Sequence, residues 1–158
     1  DHPLVYRLMH HRVNIILHFT DMDQKVVLSY WAIRGLAERI RLLLEYLGVP
    51  YDNHEITDRN EWFNKTKPSI DDPFINLPFL KDGEKVVSES EAIIAHIIFK
   101  ANRADLFGKD SEQKVEVIKL RGAFNDMYSA YVRVVYGGGD FELTKPSLIN
   151  SLSAYLEK

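Results

Sequence analysis

Residues 30–48, YWAIRGLAERIRLLLEYLG, join a short β-rich run to an amphipathic helix. The helix is indicated by apolar side chains at helical spacing, namely Leu36, Ile40, Leu43, Leu44 and Leu47. Gly48 suits the position after the last helical residue, and Pro50 prevents continuation. Tyr30 is therefore predicted at the carboxyl end of a strand, beside a helix N-terminus. Ligands of open α/β sheets bind outside the carboxyl ends of the strands, so we expect a site here, with the Tyr30 hydroxyl donating to an anion.

As far as about Leu106, the sequence pattern predicts a strand, a helix, a strand, a helix, a hairpin and a helix, in that order. Strands are predicted at 26–29, 51–56, 77–80 and 85–87, and the last two form a hairpin around Asp82 and Gly83. The third helix is expected to begin near Ser90, where Ser88 and Glu91 have capping-box spacing. A βαβ unit followed by ββα predicts an α/β thioredoxin-like domain with a four-stranded mixed sheet.

A different pattern follows Phe107 and predicts a partial all-α domain. Asp110 with Gln113 is expected to cap a long helix that ends at the glycine run 137–139. Thr144 is expected to cap another helix, with Pro146 at its first position. These boundaries divide the sequence into an N-terminal extension at 1–25, the thioredoxin-like domain at 26–106 and the helical part at 107–158.

The composition excludes several classes of function. The 158 residues carry a net charge of -3 and the pI is near 6.1, which gives no basis for broad nucleic-acid binding. No apolar run approaches the ~20 residues of a membrane span. The lack of cysteine excludes a disulfide scaffold, a thiolate metal site and dithiol redox chemistry. No metal site is expected, since the adjacent His10 and His11 cannot share one helical face. The acid-poor extension fits either a mitochondrial transit segment or an added packed element.

Four blocks in this order carry a resemblance to a known family. They are VVLSYWAIRGLA from Val26, DRNEWFN from Asp58, NLPFL from Asn76 and ESEAI from Glu89. Together they resemble the amino-terminal domain of a mu-class glutathione transferase. The resemblance implies a thioredoxin-like domain that binds glutathione as a substrate, with no other cofactor, followed by a helical domain that completes the pocket for a small hydrophobic electrophile.

The resemblance also implies roles for individual residues. Tyr30 would stabilise the thiolate of glutathione, whose thiol, like that of cysteine, has a pKa of about 8.5. The Leu77–Pro78 bond would be cis, and the exposed backbone there would pair with the cysteinyl part of the peptide, with Asn76 beside it. An ordinary turn asparagine and a trans bond are the alternatives from the residues alone.

The two ends of the peptide would be held by other blocks. Ser90 and the helix N-terminus suit the γ-glutamyl carboxylate, and Glu89 would accept the α-amino group. Arg59, Trp62 and either Lys65 or Lys67 would hold the glycyl carboxylate. Trp31 would donate to the peptide or fill a domain interface, and Trp62 has burial under its loop as an alternative.

In the later part, Asp126 would reach a partner subunit's glutathione, and Tyr136 would assist some electrophiles, with Ile33 and Leu36 lining the same pocket. The resemblance implies further helices beyond Glu157. We therefore expect either a glutathione transferase that forms a homodimer or a larger complex, or a non-catalytic relative that serves as an interaction module. The expected location is cytoplasmic, with a mitochondrial alternative.

Overall fold

A computed structural model describes residues 24–157, and the chain divides into two compact units between Asn102 and Arg103. The N-terminal extension predicted at 1–25, with His10 and His11, lies almost wholly outside the described residues. None of the helices in the described part is long and apolar enough to cross a bilayer.

The first unit is built on a four-stranded mixed sheet. Its strands are β1 (Val26–Trp31), β2 (Tyr51–Ile56), β3 (Phe79–Asp82) and β4 (Lys85–Ser88). They lie in the order β2-β1-β3-β4; β1 and β2 are parallel, and the other two pairings are antiparallel. The predicted thioredoxin-like architecture is confirmed, and β1 runs on through Tyr30 to Trp31.

Helices connect the strands of this unit. A 3-10 turn (Gly35–Ala37) leads into α1 (Glu38–Leu47), and Gly48 ends that helix with φ +66°, as its position predicts. The segment after β2 contains the short α2 (Arg59–Glu61), a π turn (Trp62–Thr66) and a 3-10 turn (Lys67–Ser69), while α3 (Ser90–Lys100) follows β4.

The core lies between the sheet and the two long helices of this unit. Most of its fully buried side chains come from β1, α1, β3 and α3, and they include Val26, Leu28, Ile40, Leu44, Leu80, Ile93 and Ile97. Burying each leucine or isoleucine side chain contributes about 1.5–3 kcal/mol. This packing fixes α1 and α3 on the sheet, and it therefore fixes the first residue of each helix relative to the strand ends.

Two local predictions for this unit are wrong. Because Asp82 pairs with Lys85, the hairpin turn consists of Gly83 and Glu84, one residue later than predicted. The capping box does not form, since Ser88 is still paired in β4 and its hydroxyl donates to Asp72 Oδ2 at 2.6 Å. Residue 89 is the N-cap of α3 and makes no side-chain capping hydrogen bond.

The second unit contains a 3-10 turn (Ala104–Phe107), α4 (Ser111–Tyr136) and α5 (Phe141–Leu156), and the two helices pack against each other. Asp110 caps α4 by accepting from the Gln113 amide at 2.9 Å, as predicted.

The predicted start of the last helix is wrong. Asp140 caps α5 by accepting from the amides of Glu142 and Leu143, so the helix begins before Thr144. Thr144 instead donates its hydroxyl to the Asp140 carbonyl at 3.0 Å. Pro146 therefore lies inside the helix, where it lacks the amide for one i to i-4 hydrogen bond.

Candidate functional site

The sheet register brings three predicted site segments to one end of the sheet. Phe79 is paired with Ser29 on one side and with Ser88 on the other. The next residue along β1 is Tyr30, and the next residue after β4 is Glu89. The residue before Phe79 belongs to the Leu77–Pro78 segment. The end of β1, the start of β3 and the entry to α3 are thus neighbours although they are far apart in sequence.

Tyr30 is held in place by the turn that follows β1. Its side chain is 7% exposed, and its hydroxyl oxygen accepts from the Leu36 amide at 3.3 Å. Gly35 has φ +42°, and a Cβ there would come within 2.7 Å of the Tyr30 Cε1 and hydroxyl oxygen. The close approach of Gly35 therefore makes room for the ring. A hydroxyl oxygen that accepts from an amide keeps its proton for donation to a ligand.

The segment before β3 lies beside Tyr30, because Phe79 is paired antiparallel with Ser29. The Leu77–Pro78 peptide bond is cis, in agreement with what the resemblance implies. Leu77 and Pro78 are buried, while Asn76 is exposed.

Asp72 ties this segment to β4 and was not singled out by sequence reasoning. One carboxylate oxygen accepts from the Ser88 hydroxyl at 2.6 Å and the other from the Phe74 amide at 2.8 Å. These hydrogen bonds, that of Ser88 first, hold the pKa of Asp72 below its ordinary value. Asp72 thus holds the loop that leads to Asn76 against the strand that leads to Glu89.

The N-terminus of α3 is open at the same end of the sheet. Glu89 is exposed and has φ +67°, and its side chain does not cap the helix. The first amides of α3 therefore have no side-chain cap from the N-cap residue. The Ser90 hydroxyl oxygen accepts from Arg39 Nη2 at 2.7 Å, and Arg39 Nη1 lies 3.0 Å from Glu91 Oε1. Sequence reasoning did not identify Arg39.

Arg59, the first residue of α2, lies close to Trp31, the last residue of β1. The Arg59 guanidinium lies 5.4 Å from the centroid of the Trp31 ring and 5.6 Å from that of Phe63, a residue that sequence reasoning missed. The two rings are tilted by 43° with centroids 6.3 Å apart. Contacts with two aromatic faces restrict the guanidinium while leaving its N–H groups able to donate at the ring edges.

Trp62 belongs to the core. Its side chain is 0% exposed and its ring stacks on that of Phe79, with centroids 5.8 Å apart. Its indole N–H is buried and has no hydrogen-bond partner among residues 24–157. A cavity of about 120 Å³ lies beside it, lined by residues of β2 and of the following turns, among them His54, Asp58, Glu61 and Thr66. Burial, the alternative given by the sequence, describes the observed position, and the contact of Trp62 with glutathione remains a prediction.

The remaining predicted residues are accessible to differing degrees. In the first unit, Lys65 and Ile33 are exposed, while Lys67 and Leu36 are half-buried. Asp126 and Tyr136 lie on α4 of the second unit, and both are exposed. Within residues 24–157, no group of three or more histidine, aspartate or glutamate side chains is placed to hold a metal ion.

Comparison with known proteins gives concordant matches. The family model of the glutathione S-transferase N-terminal domain matches residues 26–98. The chain is 38% identical over 140 residues to human glutathione S-transferase Mu 4, which covers 84% of this chain and 62% of the relative. It is 34% identical over 143 residues to human glutathione S-transferase Mu 3, covering 86% of this chain and 61% of the relative. The chain thus spans about three fifths of the length of these curated relatives.

Solved structures give the same picture. The glutathione S-transferase from Ascaris lumbricoides is similar with a TM-score of 0.66 and 27% identity, over 84% of this chain and 64% of that one. A Nu-class enzyme from Haemonchus contortus has a TM-score of 0.64 and 26% identity, over 83% of this chain and 64% of that one. The similarity therefore extends beyond the segment that the family model matches.

Proposed function

We propose, since the chain belongs to the glutathione S-transferase family, that it conjugates the thiolate of reduced glutathione to small hydrophobic electrophiles. The observation that supports this most is the convergence of three segments at one end of the sheet. A tyrosine hydroxyl, a stretch of backbone and an open helix N-terminus meet there. These groups match the thiol, the cysteinyl backbone and the γ-glutamyl carboxylate of the tripeptide.

In the proposed reaction, Tyr30 activates the sulfur. A free thiol with a pKa of about 8.5 is only a few per cent thiolate at neutral pH. Because the Tyr30 oxygen accepts from the Leu36 amide, the Tyr30 hydroxyl keeps its own proton for donation. The hydroxyl donates to the sulfur and stabilises its negative charge. The thiol proton passes to solvent, and the thiolate attacks the electrophilic carbon, with the sulfur electron pair forming the new bond. The electron pair displaced from that carbon departs with a leaving group or, for an activated double bond, takes a proton from water. Tyr30 thus lowers the pKa of the thiol rather than removing its proton as a base.

The rest of the tripeptide would be held at both ends. The backbone of Leu77 and Pro78 pairs with the cysteinyl part, with Asn76 beside it, and Glu89 accepts from the α-amino group. Ser90 and the first amides of α3 donate to the γ-glutamyl carboxylate. The glycyl carboxylate is bound by a group that includes Arg59, Trp62 and Lys65 or Lys67, with Trp31 stacked on Arg59.

The electrophile and the partner subunit involve further residues. We propose that Ile33 and Leu36 contact the electrophile, that the Tyr136 hydroxyl assists some electrophiles, and that Asp126 reaches the glutathione of a second copy in a homodimer. We also propose a cytoplasmic location, with a mitochondrial one as the alternative.

A non-catalytic interaction module is the second candidate function. It is favoured by the large apolar side chains that the helices of the second unit expose, among them Ile118, Phe124, Tyr131 and Leu143. Exposed apolar surface of this kind is typical of interfaces. A module of this kind retains the fold and assembles with other subunits but shows no conjugation activity, so an activity assay distinguishes the two functions.

The experiment is a conjugation assay of the wild type and the Tyr30→Phe variant with reduced glutathione and a general electrophile. Removing the hydroxyl while keeping the ring should lower the rate by about 100-fold, as for loss of one donor to a developing anion, and raise the apparent thiol pKa. Glutathione affinity should change by less than about twofold, because the peptide keeps its other contacts.

Tyr51→Phe is the matched control. It also removes one tyrosine hydroxyl, but Tyr51 is the first residue of β2 and lies away from the site. Its hydroxyl donates to the Glu45 side chain. The control should react at the wild-type rate. If Tyr30→Phe conjugates at the wild-type rate between about pH 6 and 8, another donor activates the sulfur. If the wild type binds glutathione and conjugates nothing, the interaction module is the better description.

A further inference from the structure

Arg39 links the first turn of α1 to the first residues of α3. Its Nη2 donates to the Ser90 hydroxyl oxygen at 2.7 Å, and its Nη1 forms an ion pair with Glu91 Oε1 at 3.0 Å. The side chains of Arg39 and Glu91 are 37% and 41% exposed, so the pair lies at the surface of the first unit rather than in its core. One guanidinium therefore contacts both residues that open the proposed carboxylate site.

The direction of the Ser90 hydroxyl follows from this contact. A guanidinium has five N–H donors and no acceptor, so the Ser90 oxygen must be the acceptor of the Arg39 hydrogen bond. Its single proton then remains to be donated elsewhere. The contact thus leaves the Ser90 proton available to an incoming carboxylate before the ligand arrives.

Arg39 also alters the local charge. Ser90 is flanked by Glu89 and Glu91, and two carboxylates next to the amides of α3 would repel a third. The helix N-terminus supplies only about half of a positive charge. Arg39 adds a full positive charge at this point and is paired with Glu91, which leaves Glu89 as the acid available for the α-amino group.

We propose that Arg39 is a positioning residue for the γ-glutamyl carboxylate, acting through the Ser90 hydroxyl and by compensating the charge of Glu91. This inference rests on the proposed binding of glutathione and adds to it a residue that the family resemblance did not supply. It predicts that Arg39 contributes to the recognition of one carboxylate of the peptide and not of the rest.

The test compares two peptides by calorimetry. One is glutathione, and the other is γ-aminobutyryl-cysteinylglycine, which is glutathione without the γ-glutamyl carboxylate. Arg39→Met keeps much of the aliphatic length but removes the donors and the charge. It should weaken glutathione binding by at least about fivefold and change the affinity for the second peptide by less than about twofold. Arg39→Lys, which keeps the charge, should recover part of the loss.

Two controls complete the test. Arg34→Met removes the same charge from an exposed side chain ahead of α1 and should leave both affinities within about twofold of the wild type. In a Ser90→Ala background, Arg39→Met should have a smaller effect on glutathione binding than in the wild type, because the two groups act together.

The outcomes separate this inference from the proposed function. If the wild type binds glutathione and Arg39→Met binds both peptides as well as the wild type does, the positioning role is wrong while the function stands. Equal weakening for both peptides also contradicts it, since that result indicates general damage to the site. If the wild type binds neither peptide, the proposed function itself is wrong, and the role of Arg39 falls with it.

Discussion

The two ends of the sheet in the first unit differ in how their polar side chains and amides are paired. At the hairpin end, the Asp82 carboxylate contacts His96 Nε2 at 2.8 Å and Lys100 Nζ at 3.0 Å, and the Lys100 side chain is only 1% exposed. At the other end, the Tyr30 hydroxyl accepts from the Leu36 amide and keeps its proton. The Glu89 carboxylate does not cap the first amides of α3. At the hairpin end, Asp82 and Lys100 neutralise each other; at the other end, Arg39 and Glu91 also pair, but the Tyr30 hydroxyl and the first amides of α3 keep protons that can be donated.

The helix α3 connects these two environments. It runs from Ser90 at the open end to Lys100 at the hairpin end, a length of roughly 16 Å for its 11 residues. Its last residue pairs with Asp82 and its first with Arg39. We therefore propose a division of roles along one helix, in which the hairpin end contributes stability and the open end contributes to glutathione binding.

At the open end, Gly35→Ala should cause the greatest change, a loss of conjugation rate. The new Cβ would lie 2.7 Å from the Tyr30 ring and hydroxyl, so it should displace the hydroxyl and lower the conjugation rate by about 100-fold. The φ of +42° also adds about 1 kcal/mol of backbone strain. The rate and the free energy of unfolding are measured for the same sample.

Gly48→Ala is the control for backbone strain. Gly48 has a φ of +66°, but no atom in the described part of the chain lies within 4 Å of the Cβ position. This variant should lose a similar free energy of unfolding, about 1 kcal/mol, and react at the wild-type rate. Equal rates for the two variants would show that the position of Tyr30 does not control the reaction.

At the hairpin end, Asp82→Asn should lower the stability of the fold. Removing the charge leaves the buried ammonium of Lys100 without its carboxylate, so the free energy of unfolding should fall by about 3 kcal/mol at neutral pH. Glutathione affinity should stay within about twofold of the wild type, since the pair lies at the opposite end. Asp52→Asn, which breaks an exposed pair with Lys25, should lower stability by less than about 1 kcal/mol.

The same pair predicts a pH dependence. Burial raises the pKa of Asp82, but hydrogen bonds from His96 and Lys100 and the charge of Lys100 outweigh it, so the pKa lies below its ordinary value. A lowered folded-state pKa contributes stability above the unfolded value of about 3.9, and that contribution is lost as the pH falls through the folded value. The stability difference between the wild type and Asp82→Asn should therefore narrow below about pH 4. A constant difference down to pH 2 would contradict this account.

The smallest effect is expected from Glu91→Gln. It removes a negative charge beside the proposed carboxylate site and releases Arg39 from its ion pair, so glutathione should bind about twofold to threefold more tightly. Glu84→Gln, at the exposed hairpin turn, provides the control and should leave the affinity unchanged. Weaker binding by Glu91→Gln would mean that the ion pair is needed to orient Arg39.

Much of the fold could be predicted because its signals are local. The periodicity of α1 and the Gly48 and Pro50 stop gave that helix, and β2 was predicted with its observed bounds. The capping box failed because Ser88 bonds to Asp72, which lies 16 residues earlier, and a short sequence window does not show such a partner. Pro146 was misplaced because two capping signals, Asp140 and Thr144, lie close together and the earlier one caps the helix.

The candidate site shows the same limit. Tyr30 and the Leu77–Pro78 segment could be identified from short motifs, although their contacts with glutathione remain predictions. Arg39 could not, since its partner Ser90 lies 51 residues away and the arginine itself reads as an ordinary solvated residue of an amphipathic helix. The only signal for it was indirect, because two glutamates flanking Ser90 require a nearby positive charge if that serine is to bind an anion.

The proposed function depends above all on glutathione binding at the open end of the sheet. Calorimetric titration of the wild-type chain with reduced glutathione measures this binding. The arrangement of Tyr30, the Leu77–Pro78 segment and the N-terminus of α3 predicts saturable binding with a Kd between about 1 μM and 1 mM, as expected for a small polar peptide. No detectable heat of binding at about 10 mM glutathione would contradict it.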